Sequence, residues 1–105
     1  MRKKYAFYYS WLRYLKKELP LRYPVTVNRC RCSRKINGDC DLRNKRFYIR
    51  IDRELPEDYA IDVLIHEYGH CLSDWGKHED DHGASWGKAY SVVYRTFLRF
   101  LDEQK

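Results

Sequence analysis

The chain is 105 residues long, carries a formal net charge of +6 and contains 10 Tyr, 4 Phe and 3 Trp. That length supports one domain with one modest core, which the aromatic residues can build, and excludes a second folded module. No run approaches the roughly 20 apolar residues of a membrane-spanning helix, and the charged start Met1-Arg2-Lys3-Lys4, followed by Tyr8, Tyr9, Ser10 and Arg13, lacks the apolar core of a secretory signal, so the sequence reads as an intracellular, cytoplasmic protein with no membrane partner.

Residues 5–18 have the periodicity of an amphipathic helix: Tyr8, Trp11, Leu12, Leu15 and Leu19 recur at three-four spacing, with Lys16 and Lys17 off that face. Pro20 and Pro24 end it. The segment 24–32 is extended around Val25-Thr26-Val27, and 46–52 alternates apolar and polar residues as a strand does. Asn37-Gly38-Asp39 between them is a turn signal, so the middle of the chain is expected to be a small antiparallel sheet.

Leu55-Pro56-Glu57-Asp58 starts the next helix, with proline near the first turn and acids where the helix dipole favours them. It runs to about Asp74, with Ile61, Ile65, Tyr68 and Leu72 as its apolar stripe, and Gly76 ends it. A polar loop, 76–81, leads to a last helix that begins between Asp81 and Ala84 and reaches about Leu101. Trp86, Ala89, Tyr90, Val93, Phe97, Phe100 and Leu101 form its apolar face. The order helix, small sheet, helix, helix makes the fold class α+β, with no internal repeat and no low-complexity segment.

Charge is unevenly distributed. Residues 1–50 hold 15 Lys/Arg against 3 Asp/Glu, and residues 51–105 hold 6 against 12. A basic first half suits nucleic acid, and equally a solvated basic face with no partner. The four cysteines, Cys30, Cys32, Cys40 and Cys71, are expected to be reduced thiols in an intracellular chain. Cys30 and Cys32 lack the usual zinc-ribbon spacing, so partly buried thiols around a hairpin are a better reading than a second metal site with Cys40.

The stretch that carries chemistry is His66-Glu67-Tyr68-Gly69-His70, an H-E-x-x-H motif. Residues four apart on a helix lie roughly 40° from each other around the axis, so both imidazoles point to one side and can share a metal. Glu67 lies beside them without displacing a ligand, where a general base acting on water belongs. The motif falls inside a predicted helix, with its histidines off the apolar stripe, and all four histidines of the chain (His66, His70, His78 and His82) lie within 17 residues.

A catalytic zinc takes three protein ligands and leaves one position open. A metzincin would need histidine at position 76, which is Gly76, and a gluzincin a glutamate on the last helix, where residues 83–101 contain no acid. His78, Asp80, Asp81 and His82 remain. His82 is favoured because it opens the last helix, a rigid support, and is followed by Gly83. Asp62 and Asp74, each one turn from a motif histidine, are candidates to hold the second ring nitrogens. Tyr48, Tyr90 and Tyr94 are candidates to stabilise an oxyanion, and the strand 46–51, as a sheet edge, would pair with an extended substrate.

With His82-Gly83-Ala84-Ser85-Trp86 downstream of His66-Glu67-Tyr68-Gly69-His70, the sequence resembles the SprT-like (Spartan-type) metallopeptidases over residues 55–100. The first motif is common to many zincins, and the second narrows the family. The resemblance implies a minimal zincin-like fold, one zinc held by His66, His70 and His82, Glu67 as the catalytic residue, and proteins bound to DNA as substrates. Many members carry a C-terminal zinc ribbon or DNA-binding tail, whereas this sequence stops at Lys105, a compact size that suits phage or mobile-element origin. Two further readings stand beside it: a peptidase that cleaves a regulatory protein without DNA, and a non-catalytic zinc module that holds nucleic acid.

Overall fold

The computed structural model describes residues 5–32, 36–73 and 83–105. Among them it is an α+β arrangement of three helices and a small three-stranded sheet, in the order α1 (Ala6–Glu18), β1 (Val25–Cys30), β2 (Gly38–Arg43), β3 (Arg46–Asp52), α2 (Glu57–Leu72) and α3 (Ala84–Glu103). None of the described helices is long and apolar enough to cross a membrane.

Helix α1 buries the stripe its spacing announces: Tyr8, Trp11 and Leu15 are fully inaccessible, with Leu12 and Leu19 packed against the same core. Its first turn has no acid and no side-chain cap of its own. The Glu57 carboxylate at the start of α2 fills that role by accepting from the Tyr8 N–H at 3.1 Å, which satisfies one orphan donor. At the other end the Tyr68 hydroxyl donates to the Leu19 carbonyl at 2.5 Å, tying α1 to the middle of α2.

The sheet is mixed rather than antiparallel. Its strand order is β1-β3-β2, with β1 parallel to β3 (Val25 beside Phe47, Cys30 beside Asp52) and β2 antiparallel to it (Gly38 beside Ile51, Arg43 beside Arg46). Two expectations fail here. Asn37-Gly38-Asp39 is not the turn between strands; it opens β2, and the tight turn is Asn44-Lys45, both at positive φ (50° and 60°) as a two-residue hairpin of the right twist requires. The strand 46–52 is not an edge; it is central. The physical reason is burial. Phe47, Ile49 and Ile51 are at most 1% exposed, and a strand with such a face gains most where neighbours cover both of its edges.

These three residues face α2, together with Val25, Val27, Cys40 and Leu42. The opposite face is polar: Arg46 donates to Thr26 Oγ1 at 3.1 Å, Arg50 pairs with Asp39, and the Arg43 guanidinium lies 4.4 Å from the Tyr48 ring. Gly38 serves packing. A Cβ there would lie 2.6 Å from the Arg50 carbonyl and 2.7 Å from Val63 Cγ1, so only glycine lets β2 start this close to α2. Gly38→Ala is expected to destabilise the protein by about 1–3 kcal/mol through overpacking. A thermal melt reads this as a lower Tm, and an unchanged Tm would mean that β2 does not start this close to α2.

The β3–α2 connection is clamped from several directions. Arg29 Nη2 donates to the carbonyls of Asp52 and Leu55, each at 3.1 Å, and the Tyr5 hydroxyl donates to the Leu55 carbonyl at 3.0 Å. Arg29 is itself stacked on the rings of Tyr5 and Tyr8 at 4.3 and 5.2 Å. These bonds set where α2 begins, and hence where residues two turns further along it are presented.

In α2 the expected stripe is buried at Ile61, Ile65 and Tyr68 and half-buried at Leu72, and it is widened by Ala60, Leu64 and Cys71, because the helix packs on the sheet on one side and on α3 on the other. It ends at Ser73, whose hydroxyl donates to the His70 carbonyl; the predicted end at Asp74 lies outside the described residues. In α3, Ala89, Val93 and Phe100 are buried as expected, with Trp86, Tyr90, Phe97 and Leu101 half-buried. Thr96 is buried as well, its hydroxyl satisfied by the Val92 carbonyl one turn back.

Candidate metal centre

His66 and His70 stand on the exposed shoulder of α2, both half-buried, while Glu67 between them is only 8% exposed. The two Nε2 atoms face each other at 3.3 Å. That is long for a hydrogen bond between imidazoles. It matches the edge of a tetrahedral zinc site, where ligands at about 2.0–2.1 Å and about 109° are about 3.4 Å apart. Glu67 Oε2 lies 3.9 Å from His66 Nε2, beyond hydrogen-bond reach but beside the pair. The three side chains form the sole metal-competent group among the described residues, their ligand atoms all within 4.8 Å of one another. Two imidazoles and a carboxylate suit zinc by donor chemistry, so the residues present fit the ion.

The remaining candidate ligands, His78, Asp80, Asp81 and His82, lie in 74–82, outside the described residues, as does Asp74. The chain is described again from Gly83, the N-cap of α3. One turn on, Trp86 covers the pair: its ring centroid is 5.1 Å from that of His66 and 5.6 Å from that of His70, and its Nε1 donates to the His66 carbonyl at 3.3 Å. Gly69 makes this approach possible. A Cβ there would meet Trp86 Nε1 at 3.3 Å and the Tyr90 Cα at 3.4 Å, so the glycine inside the motif sets how near α3 can lie.

Glu67 is perturbed. Burial lifts its carboxyl to about 7; the Cys40 thiol, hydrogen-bonded to it, works in the opposite direction, and Asp39 adds a further upward push. The Cys40 thiol is held far above its ordinary value by its hydrogen bond to Cys71, by burial and by the charges of Cys71 and Glu67, so it stays a neutral donor beneath the carboxylate. Cys40 faces α2, whereas Cys30, in register with Asp52, faces the other side of the sheet. A site joining Cys30, Cys32 and Cys40 is therefore not formed, and all four cysteines are free thiols.

A cleft of about 550 Å³ opens beside His66 and Glu67, lined by α2 (Tyr59, Asp62, Val63), by Ile36, Asn37 and Gly38 at the start of β2, and by Tyr90 of α3. Asp62 is exposed in its wall and makes no hydrogen bond to His66. Of the three tyrosines proposed from sequence, only Tyr90 reaches the cleft; Tyr48 lies on the polar face of the sheet under Arg43, and Tyr94 is 42% exposed on α3. The strand at the cleft is β2, an edge, and not the central β3. Tyr59 is a cleft residue that sequence reasoning missed, its hydroxyl accepting from Asn37 Nδ2 at 3.1 Å. The signal was present: Tyr59, Asp62, Val63, His66 and Glu67 follow helical spacing along one face. Comparison of the chain with protein-family models, with curated proteins and with solved structures finds no match in any of the three.

Proposed function

We propose that the chain is a zinc-dependent metalloendopeptidase with a minimal zincin-like, SprT-like domain, in which His66, His70 and His82 hold the metal and Glu67 is the general base. The observation that carries the reading is the pair of imidazole nitrogens 3.3 Å apart beside a buried carboxylate, at the mouth of a cleft bordered by a sheet edge. Zinc, when bound, supplies a Lewis acid for the scissile carbonyl and makes water more acidic. Glu67 takes the proton of the attacking water and passes it to the leaving amine. Trp86 excludes water from one side of the two imidazoles and fixes the backbone of the ligand turn. The outer edge of β2 pairs with no other strand among the described residues, so an extended substrate segment would add to it and run past Glu67.

Proteins bound to DNA are the substrate class that the family resemblance suggests. The alternative is a non-catalytic zinc module gripping nucleic acid through residues 1–50, where Arg43 and Arg50 pair with Asp41 and Asp39. Metal analysis by mass spectrometry together with cleavage of fluorescein-labelled casein tests the proposal. The expected result is one zinc per chain, with cleavage lost on chelation and restored by zinc. Protein that takes up no zinc refutes the metal centre, and zinc-loaded protein that cleaves nothing but binds DNA in a salt-sensitive manner supports the alternative.

A further inference from the structure

Resting on the peptidase reading, we infer that Tyr90 is a catalytic hydrogen-bond donor of this site, its phenol hydroxyl stabilising the oxyanion that forms on the scissile carbonyl. Hydrolysis adds the oxygen of water to the carbonyl carbon while the proton of that water passes to Glu67. The carbonyl π pair moves onto oxygen, and a donor is needed there. When the C–N bond breaks, the pair returns to re-form the carbonyl and the amine leaves with the proton from Glu67. Tyr90 keeps its own proton throughout and contributes only a hydrogen bond, which strengthens as charge develops.

Geometry selects Tyr90 from the tyrosines around the site. Tyr48 faces away from α2, and Tyr94 does not line the cleft. Tyr59 does, but it lies seven residues before His66 on the same helix, about 10 Å along the axis. Tyr90 approaches from α3, across the cleft from that helix. Its Cα lies 3.4 Å from where a Gly69 Cβ would stand, so its backbone packs directly against the turn that joins Glu67 to His70.

The ring is held from two sides. Trp86, itself in contact with both imidazoles, is 5.0 Å away, and Tyr94 lies nearly parallel at 6.2 Å. No described residue hydrogen-bonds the Tyr90 hydroxyl, and the residue lines the same cleft as His66 and Glu67. A donor that is fixed by its neighbours and has no hydrogen-bond partner among the described residues needs no reorganisation when charge appears beside it.

The test uses the zinc-loaded full chain as wild type and as Tyr90→Phe and Tyr94→Phe. Phenylalanine keeps the stack on Trp86 and removes only the donor. Tyr90→Phe is expected to lower kcat on labelled casein by about 10²–10³-fold, the loss seen when one oxyanion donor is deleted, while KM, zinc content and Tm hold. Calorimetry with a phosphinic peptide, built on the bond cleaved most readily in casein, should show a parallel loss of affinity, because its tetrahedral oxygens mimic the oxyanion. Tyr94→Phe should retain both properties. Wild-type kcat and phosphinate affinity in Tyr90→Phe overturn the assignment, as does loss of zinc or Tm in that variant, which would make the residue structural. A wild type that cleaves nothing sinks the peptidase reading and this inference with it, whereas a wild type that cleaves beside an equally active Tyr90→Phe sinks only the inference.

Discussion

Glu67→Gln is expected to keep zinc bound and to lower peptide cleavage by roughly 10²–10⁴-fold, the range for loss of a general acid–base group. The amide has the shape of the carboxylate but cannot take up the proton of water, and His66 and His70, the proposed ligands, are untouched. Metal analysis and casein cleavage on one preparation check both halves. Loss of zinc in this variant would make Glu67 a structural ligand, and full activity would move the base elsewhere.

The same substitution has a signature in the metal-free protein. Burial, opposed by Cys40, raises the Glu67 carboxyl from 4.5 to about 7 on folding. The folded state therefore holds this proton more tightly than the unfolded state. Below pH about 4.5 both states are protonated and the group leaves stability unchanged. As pH rises towards 7 the unfolded chain ionises first, so folding loses stability, and the loss levels off above that value, on the order of 3 kcal/mol. Gln does not titrate. Metal-free Glu67→Gln should match wild type near pH 4 and melt at a higher temperature at pH 8. A constant difference in Tm across that window would show that burial does not perturb the carboxyl.

His82→Ala should abolish zinc binding, as should His66→Ala and His70→Ala, while His78→Ala retains one zinc per chain. Two imidazoles at tetrahedral separation need a third protein ligand to hold catalytic zinc, and His82 directly precedes Gly83, the N-cap of the helix whose Trp86 covers both histidines. Mass spectrometry of the purified variants decides it. Zinc kept by His82→Ala and lost by His78→Ala would transfer the ligand to the connecting segment; zinc kept by both would direct attention to Asp80 and Asp81.

Local information determined the helices and the facing His66–His70 pair of this protein. The three-four spacing of Tyr8, Trp11 and Leu15, of Ile61, Ile65 and Tyr68, and of Ala89, Val93 and Phe100 marks the faces that are buried, because a helix repeats every 3.6 residues whatever its surroundings. The same repeat brings His66 and His70 to one side and Glu67 beside them.

Tertiary structure decided what no local period encodes. Strand order depends on which strand gains most from two neighbours, and this put β3 in the centre, parallel to β1, and made β2 the edge at the cleft. The turn at Asn44-Lys45 has no glycine to announce it, and Gly38, which looks like a turn residue, answers to Val63 and the Arg50 carbonyl across space. The burial of Glu67 under Cys40 and Cys71, and the presence of Tyr90 rather than Tyr48 or Tyr94 in the cleft wall, arise where β2, α2 and α3 meet. Such contacts join residues on different elements of the chain, and they follow from the excluded volume of packed elements rather than from any pattern within one of them.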